Sequence, residues 1–234
     1  MQNMQNLNHL VLFPDGNGHW ARKGNMPSVL AYKKGYENLV DFCYWCKDRG
    51  VKMLTVFGFT TENWKRAPKA VDFLMDLLEN IMISNIEKYL KNKAWQELGI
   101  RVRILGQKER LPKSLQKLVA KAEELTKNNN KLFLNLAISY GGKWDILQAV
   151  KKIVEQKISA EKIDEKLFES NLSTAGLPNP DLIIRTGGHQ RLSNFALWQS
   201  AYTELYFSKK DWPEFTEKDL DDALEYFSKC TRHA

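Results

Sequence analysis

The sequence has little cysteine, and what it has excludes a disulfide framework. Cys43, Cys46 and Cys230 are too few and odd in number. Cys43 and Cys46 form a C-x-x-C within DFCYWCKDRG. No second Cys/His pair completes a zinc site, so the pair is expected to pack inside a helix. No apolar run approaches the ~20 residues that a membrane span needs. The opening MQNMQNLNHL has neither a basic n-region nor an apolar h-region, so no secretory leader is expected and a cytoplasmic setting follows. Internal repeats, low-complexity linkers and the signatures of DNA- or RNA-binding modules are also missing. Charge is not balanced: the net value is +7, with a pI of about 9.2. That excess suits nucleic acid, a membrane surface or small anionic substrates. The lysines are scattered through helical stretches, which makes most of them solvated faces, and a nucleic-acid partner is not expected.

What is present is an alternation of short apolar runs and amphipathic segments. Leu10 to Phe13 reads as a buried strand ending at Pro14. Residues 32–49 carry Leu39, Phe42, Cys43 and Cys46 at helical spacing, and Gly50 stops that helix. KMLTVFGF over 52–59 is a second strand, followed by a turn that Thr60 or Thr61 caps. A long helix is predicted over 68–92, with Val71, Leu74, Leu77, Leu78, Ile81, Met82 and Ile86 keeping the helical period. Strands are expected at 101–105, 132–139, 181–184 and 201–207, and helices at 112–127, 143–156 and 217–229. Residues 157–180 give no clear pattern. The alternation predicts a single α/β domain over 1–234, with a mostly parallel six-stranded sheet covered by helices.

In such sheets, ligands bind beyond the carboxyl ends of the strands. PDGNGHW, TTENWKR and RTGGHQRLSNF all fall there. Arg185 and Arg191, flanking Gly187-Gly188 and followed by Ser193, read as a diphosphate cradle: glycines admit close backbone approach, and arginines match phosphate oxygens in a fork. A carboxylate beside such a cradle would repel the ligand unless a cation lies between. Asp15 therefore points to magnesium, which is held by one or two carboxylates plus phosphate oxygens; Glu204 is the candidate second carboxylate. Read alone, Asp15 fits a turn or N-cap equally well, and Glu204 fits a solvated strand position.

HLVLFPDGNGHWAR, FGFTTENWKR, LNLAISYGGKWDI and DLIIRTGGHQRLSNFALWQSAYTELYF occur in this order, spanning most of residues 8–228. Together they closely resemble the cis-prenyltransferase family. The resemblance implies an α/β fold with an apolar tunnel, a homodimer, Mg2+, and addition of isopentenyl diphosphate to an allylic diphosphate with a cis double bond. Carried over position by position, Asp15 matches the family's metal-linked catalytic aspartate. Gly16, Asn17 and Gly18 match its phosphate turn, and Trp20 a tryptophan lining the substrate site. Thr60, Asn63, Trp64 and Arg66 fall in the segment tied to isopentenyl proton removal and diphosphate placement. Arg185, Arg191 and Ser193 match the isopentenyl diphosphate cradle, and Glu204 the second metal-linked carboxylate. The carbocation-like fragment needs a dry channel, which the 68–92 stripe with Phe57 and Phe59 could wall; ordinary core has the same signature. The product is expected to pass to a membrane.

The chain departs from the family at the allylic side. His19 and Ser28 stand where arginines are usual, Tyr32 where a histidine is usual, and His189 where a glutamate is common after the RTGG turn. Tyr32 and the GGH of that turn resemble the irregular, lavandulyl-type branch, which performs branched coupling or cyclisation. ENW and R-x-SNF resemble regular elongators, and regular elongation is the preferred expectation. The tail KCTRHA lacks the family's R-x-G, leaving Arg232 as the one terminal arginine. A non-catalytic partner subunit would be expected to lose Asp15 and the paired arginines, which all stand here.

Overall fold

The structure, a computed structural model, describes residues 7–230. In chain order the elements are β1 (His9–Phe13), α1 (Asn17–Lys23), α2 (Ser28–Asp48), β2 (Met53–Thr60), α3 (Pro68–Lys91), α4 (Lys93–Glu97) and β3 (Ile100–Leu105). Then follow α5 (Lys113–Thr126), β4 (Leu132–Tyr140), α6 (Gly142–Glu155), α7 (Glu165–Asn171), β5 (Leu182–Arg185), β6 (Glu204–Phe207) and α8 (Glu217–Lys229). The strands form one six-stranded sheet in the order β3-β4-β2-β1-β5-β6. Pairing is parallel between β1 and β2, β1 and β5, β5 and β6, and β3 and β4. The α/β expectation therefore holds. The described residues divide into two compact units, residues 7–57, 179–191 and 199–230 in one, residues 58–178 and 192–198 in the other. Among the described residues no helix is long and apolar enough to cross a membrane.

In the first unit β1 is buried throughout, as are Leu182, Ile183 and Ile184 of β5. Continuous burial is what a strand with neighbours on both sides and helices on both faces requires. Helix α2 buries Ala31, Gly35, Asn38, Phe42, Cys43 and Cys46. Phe42 meets Trp212 edge-on at 5.5 Å, Trp212 stacks on Phe215, and the Trp212 indole N–H donates to the Gly35 carbonyl at 2.7 Å. The expected packing role of the C-x-x-C is met: both thiols are buried, and burial pushes the Cys43 thiol up to about 12, far from a reactive thiolate.

In the second unit α3 packs with α5 around a core of Phe59, Met75, Met82, Ile104, Leu111 and Leu115, among others. The helix predicted over 68–92 is there, with Pro68 at its first turn, where the missing N–H is harmless. Residues 157–180 contain the short α7, started by Asp164, whose carboxylate accepts from the Leu167 N–H.

Two expectations fail locally. PDGNGHW is not a turn alone: α1 begins at Asn17, directly after Gly16 in the left-handed region (φ 107°). The last strand starts at Glu204 rather than residue 201; Ala201 and Tyr202 are exposed, with Tyr202 almost wholly so. Arg232 lies outside the described residues.

Candidate active site

At the carboxyl ends of β1, β5 and β6 three segments of the first unit knit together. The Asp15 carbonyl accepts from the Trp212 N–H (2.9 Å) and the Thr186 hydroxyl (2.7 Å). Gly187 N–H donates to the Lys210 carbonyl at 2.7 Å, and Gly188 N–H to the Ser208 carbonyl at 2.9 Å. Both glycines lie in the left-handed region. At Gly187 a side chain would also be blocked, since an added Cβ would fall 3.0 Å from the Asp15 carbonyl carbon and 3.1 Å from the Gly16 nitrogen.

This weave brings Asp15 and Arg185 together. The Arg185 Nη2 donates to Asp15 Oδ2 at 2.9 Å. The arginine side chain is 5% exposed and the aspartate 41%. Asp15 Oδ1 accepts from the Gly16 N–H at 2.9 Å. Arg185 is oriented further by Nη1, which donates to the Arg191 carbonyl, and its guanidinium lies over the Phe13 ring at 5.2 Å. The buried cation is thus fixed on several sides, while the carboxylate keeps an open face.

The remaining residues of the same unit sort by position. Gly16 precedes α1; Asn17, Gly18, His19 and Trp20 lie on it, and the helix has no side-chain cap. Asn17 Nδ2 donates to the Pro14 carbonyl at 3.1 Å, and its Oδ1 is buried without a partner among the described residues. His19 is exposed, and its Nδ1 lies 2.6 Å from Asp211 Oδ2. Ser28 is exposed at the first turn of α2, and Tyr32 is half-buried one turn on. His189 and Arg191 are exposed in the loop after β5.

Glu204 is not brought to Asp15. In the parallel register Glu204 is level with Leu182 and Leu10, whereas Phe13 and Arg185 are level with Phe207. Three residues along a strand amount to about 10 Å. Within one chain the two expected metal carboxylates therefore stand at different depths of the sheet. Among the described residues no group of three or more His, Cys, Asp or Glu is placed to hold a metal. The donor set fits a Mg2+ ion held by Asp15 and by a ligand's diphosphate oxygens; it does not fit one closed by Asp15 and Glu204 of the same chain.

The other candidates belong to the second unit. Thr60 and Asn63 form a reciprocal cap: the Asn63 N–H donates to Thr60 Oγ1 at 3.2 Å, and the Thr60 N–H to Asn63 Oδ1 at 3.0 Å. The cap fixes Asn63 and engages its carbonyl oxygen, so the amide nitrogen is what it offers a ligand. Trp64 Nε1 donates to Ser139 Oγ at 2.8 Å, its ring packs on Phe59, and the Arg110 guanidinium lies over it at 4.8 Å. Arg66 is exposed at the end of the turn. Ser193 and Asn194 have left-handed backbone. Asn194 ties the unit locally, donating to Glu62 Oε1 at 2.7 Å and accepting the Lys143 N–H at 2.8 Å. Burial raises the Glu62 carboxyl, but a backbone N–H, Asn194, Thr60 and Thr61 outweigh it and hold the group below the ordinary range.

Sequence reasoning missed Asp211, Thr186 and the Glu62–Asn194 pair. A DWP triplet after a strand reads as a helix start, and 192 residues separate Asp211 from His19. Thr186 was visible only as part of the RTGG turn.

Known proteins resemble the chain over nearly its full length. The prenyltransferase family model described as "Putative undecaprenyl diphosphate synthase" matches residues 13–234. An isoprenyl transferase of Aquifex pyrophilus is 46% identical over 96% of this chain and 94% of its own. A ditrans,polycis-undecaprenyl-diphosphate synthase, (2E,6E)-farnesyl-diphosphate specific, of Legionella pneumophila is 40% identical over 96% and 93%. Among solved structures, lavandulyl diphosphate synthase from Lavandula x intermedia, in complex with dimethylallyl diphosphate, has a TM-score of 0.88 at 35% identity, covering 97% of both chains. A probable undecaprenyl diphosphate synthase from Campylobacter jejuni has a TM-score of 0.79 at 32% identity, covering 98% of both. The four ordered motifs, the parallel sheet and these full-length matches agree: the chain belongs to the undecaprenyl diphosphate synthase family of cis-prenyltransferases.

Proposed function

We propose that the protein condenses isopentenyl diphosphate with an allylic diphosphate by cis elongation, as a single catalytic domain. The observation that carries this reading is the Asp15–Arg185 pair, held at 2.9 Å beneath the RTGG turn with the carboxylate half-exposed. In the reaction a carbon–carbon bond forms at the allylic C1, the C–O bond to diphosphate breaks, and the isopentenyl carbon skeleton loses a proton, which the released diphosphate or water takes up. Negative charge grows on the leaving diphosphate. Asp15 would hold Mg2+ together with diphosphate oxygens, and the ion supplies electrostatic stabilisation of that charge. Arg185, Arg191 and Ser193 bind the isopentenyl diphosphate. Gly16, Asn17, Gly18 and His19 face the allylic diphosphate, with Trp20, Ser28 and Tyr32 beside it. In the second unit Asn63, oriented by Thr60, presents its amide nitrogen, and Trp64 and Arg66 are further substrate-binding candidates.

The partly exposed apolar residues of α3, among them Val71, Leu74, Leu77 and Leu78, are the part of the 68–92 stripe available to wall an acyclic chain. A cytoplasmic homodimer is the proposed working form. Its support in this chain is the exposed apolar row Leu147, Val150 and Val154 on α6, more than a solvated helix needs. The product would pass to a membrane, and the net positive charge suits a brief stay at an anionic surface.

A second reading has its own support. The lavandulyl diphosphate synthase structure fits this chain with a TM-score of 0.88, against 0.79 for the Campylobacter jejuni protein. His19, Ser28, Tyr32 and His189 are also the residues that depart from regular elongators. Branched or cyclic coupling of short prenyl diphosphates is the alternative. The test is product analysis with magnesium, isopentenyl diphosphate and, separately, dimethylallyl, geranyl and farnesyl diphosphates. After dephosphorylation a ladder of linear cis-polyprenols supports elongation; a branched or cyclic alcohol, formed from dimethylallyl diphosphate alone, replaces it with the second reading.

A further inference from the structure

Asp211 is a buried charged side chain of the region that neither the sequence motifs nor the proposed reaction uses. It directly precedes the short 3-10 turn Trp212–Glu214, yet its carboxylate makes no cap there. It is 6% exposed. Its one side-chain partner among the described residues is His19, at 2.6 Å. A buried carboxylate with no lysine or arginine beside it is tolerated only if something neutralises or hydrogen-bonds it. Its location is also fixed: an added Cβ on Gly16 would fall 2.8 Å from the Asp211 Cα, and the neighbouring Trp212 N–H is bonded to the Asp15 carbonyl. The carboxylate therefore sits against the backbone of the turn that carries Asp15, on the side of α1 occupied by His19.

The chemistry of the pair follows from what each atom can do. A carboxylate oxygen accepts, so the proton between the two groups is on His19 Nδ1. The ring is thereby fixed in orientation and tautomer, as a second group fixes a ligating or catalytic imidazole elsewhere. His19 is 65% exposed, and Nε2 has no partner among the described residues. We propose that Asp211 is a positioning residue: it holds His19 so that Nε2 meets the allylic diphosphate, replacing the direct, permanently charged contact of an arginine with a carboxylate-oriented imidazole. A diphosphate oxygen also only accepts, so Nε2 donates to it when the ring bears both protons, and the Asp211 carboxylate then lies against a cation. Lys23 is drawn instead towards Glu214 at 3.5 Å.

The inference rests on the prenyl-transfer reading, and its test separates the two. Ring-15N-labelled histidine protein would be compared with Asp211→Asn, which keeps the size of the side chain; His19→Gln assigns the signal. In the parent protein the neutral His19 ring is expected to carry its proton on Nδ1; Asp211→Asn, whose amide both donates and accepts, is expected to lose that preference and give a mixture of the two tautomers. Inorganic diphosphate with Mg2+, measured by calorimetry, should bind about tenfold more weakly to Asp211→Asn. In turnover the same variant should raise the allylic KM about tenfold and leave the isopentenyl KM within twofold. Because Asp211 acts through His19, the double variant His19→Ala/Asp211→Asn should be no worse than His19→Ala. An unchanged tautomer, or losses that multiply in the double variant, overturns the proposal and makes Asp211 a structural residue of the loop. If no prenyl transfer is found, the functional reading fails, while the tautomer and diphosphate measurements still decide the positioning role.

Discussion

The two arms of the first unit that are proposed to face diphosphate are built on different principles. On the β5 side a buried arginine is fixed by Asp15, by the Arg191 carbonyl and by the Phe13 ring. On the α1 side an exposed histidine is fixed by one buried carboxylate, and the neighbouring candidates are a serine and a tyrosine. A delocalised cation locked from several directions offers the same fork to every ligand. An imidazole on a single hinge offers one donor. The first arrangement suits a group that must be held in one place, such as the isopentenyl diphosphate. The second suits a partner that must bind, lose its diphosphate and leave.

The largest expected effect removes what the first arm is built around. Asp15→Ala should lower turnover by about 10³-fold or more, since it deletes the one carboxylate that the proposed metal site and Arg185 share. Circular dichroism should remain that of the folded protein, because the backbone bonds of Thr186 and Trp212 to residue 15 do not need its side chain. Turnover near that of the parent protein would remove the metal-assisted mechanism. Arg185→Lys comes next. Lysine keeps the charge but cannot bridge Asp15 and the Arg191 carbonyl with one planar group. Losing one charge-assisted bond at ~1.5–3 kcal/mol predicts a 10–100-fold rise in the isopentenyl KM, read from steady-state kinetics with the allylic substrate saturating.

The second arm should respond in the opposite direction. His19→Arg supplies the permanently charged fork, with Asp211 already placed to receive it. For a weakened elongator, allylic diphosphate affinity should rise about tenfold, near the lower end of a charge-assisted bond. Lost turnover in that variant would instead mean that the imidazole serves a redirected reaction, and the contrast between the arms would then be one of chemistry rather than of strength.

Most of the architecture was legible in the sequence because it rests on long periodic segments. The 68–92 helix, the strands of the sheet and the helical C-x-x-C each followed from apolar spacing. Helix α1 was not legible: Gly16 and Gly18 signal a turn, and only packing against α2, with Ala21 buried, makes seven residues helical. The candidate site was legible as motifs but not as distances. Asp15 and Arg185 meet because β1 and β5 are neighbours in register, which fits their shared place at strand ends. Glu204 also lies on a neighbouring strand, yet register puts it about 10 Å deeper, and composition says nothing about register. Asp211 was silent because its pairing with His19 depends on how the loop after β6 returns to the Asp15 turn.

That return path gives the smallest effect and a direct check on how tightly the first arm is knit. Gly187 and Gly188 both have left-handed backbone, at φ 78° and 75°. Alanine at either position meets roughly 1–2 kcal/mol of backbone strain. At Gly188 nothing lies within 4 Å of an added Cβ, so strain alone should set the loss. At Gly187 the Cβ is also forced against the Asp15–Gly16 peptide, whose position sets the Asp15–Arg185 distance. Urea unfolding should therefore show Gly187→Ala losing about 1 kcal/mol more than Gly188→Ala, in the range of a tight core contact. Turnover should follow the same order, because a shift of the Asp15 backbone moves the carboxylate while an added Cβ at Gly188 meets nothing within 4 Å. Equal losses at the two positions would mean that the RTGG turn yields as easily as the His19 arm, and that the rigidity of the first arm comes from Arg185 alone.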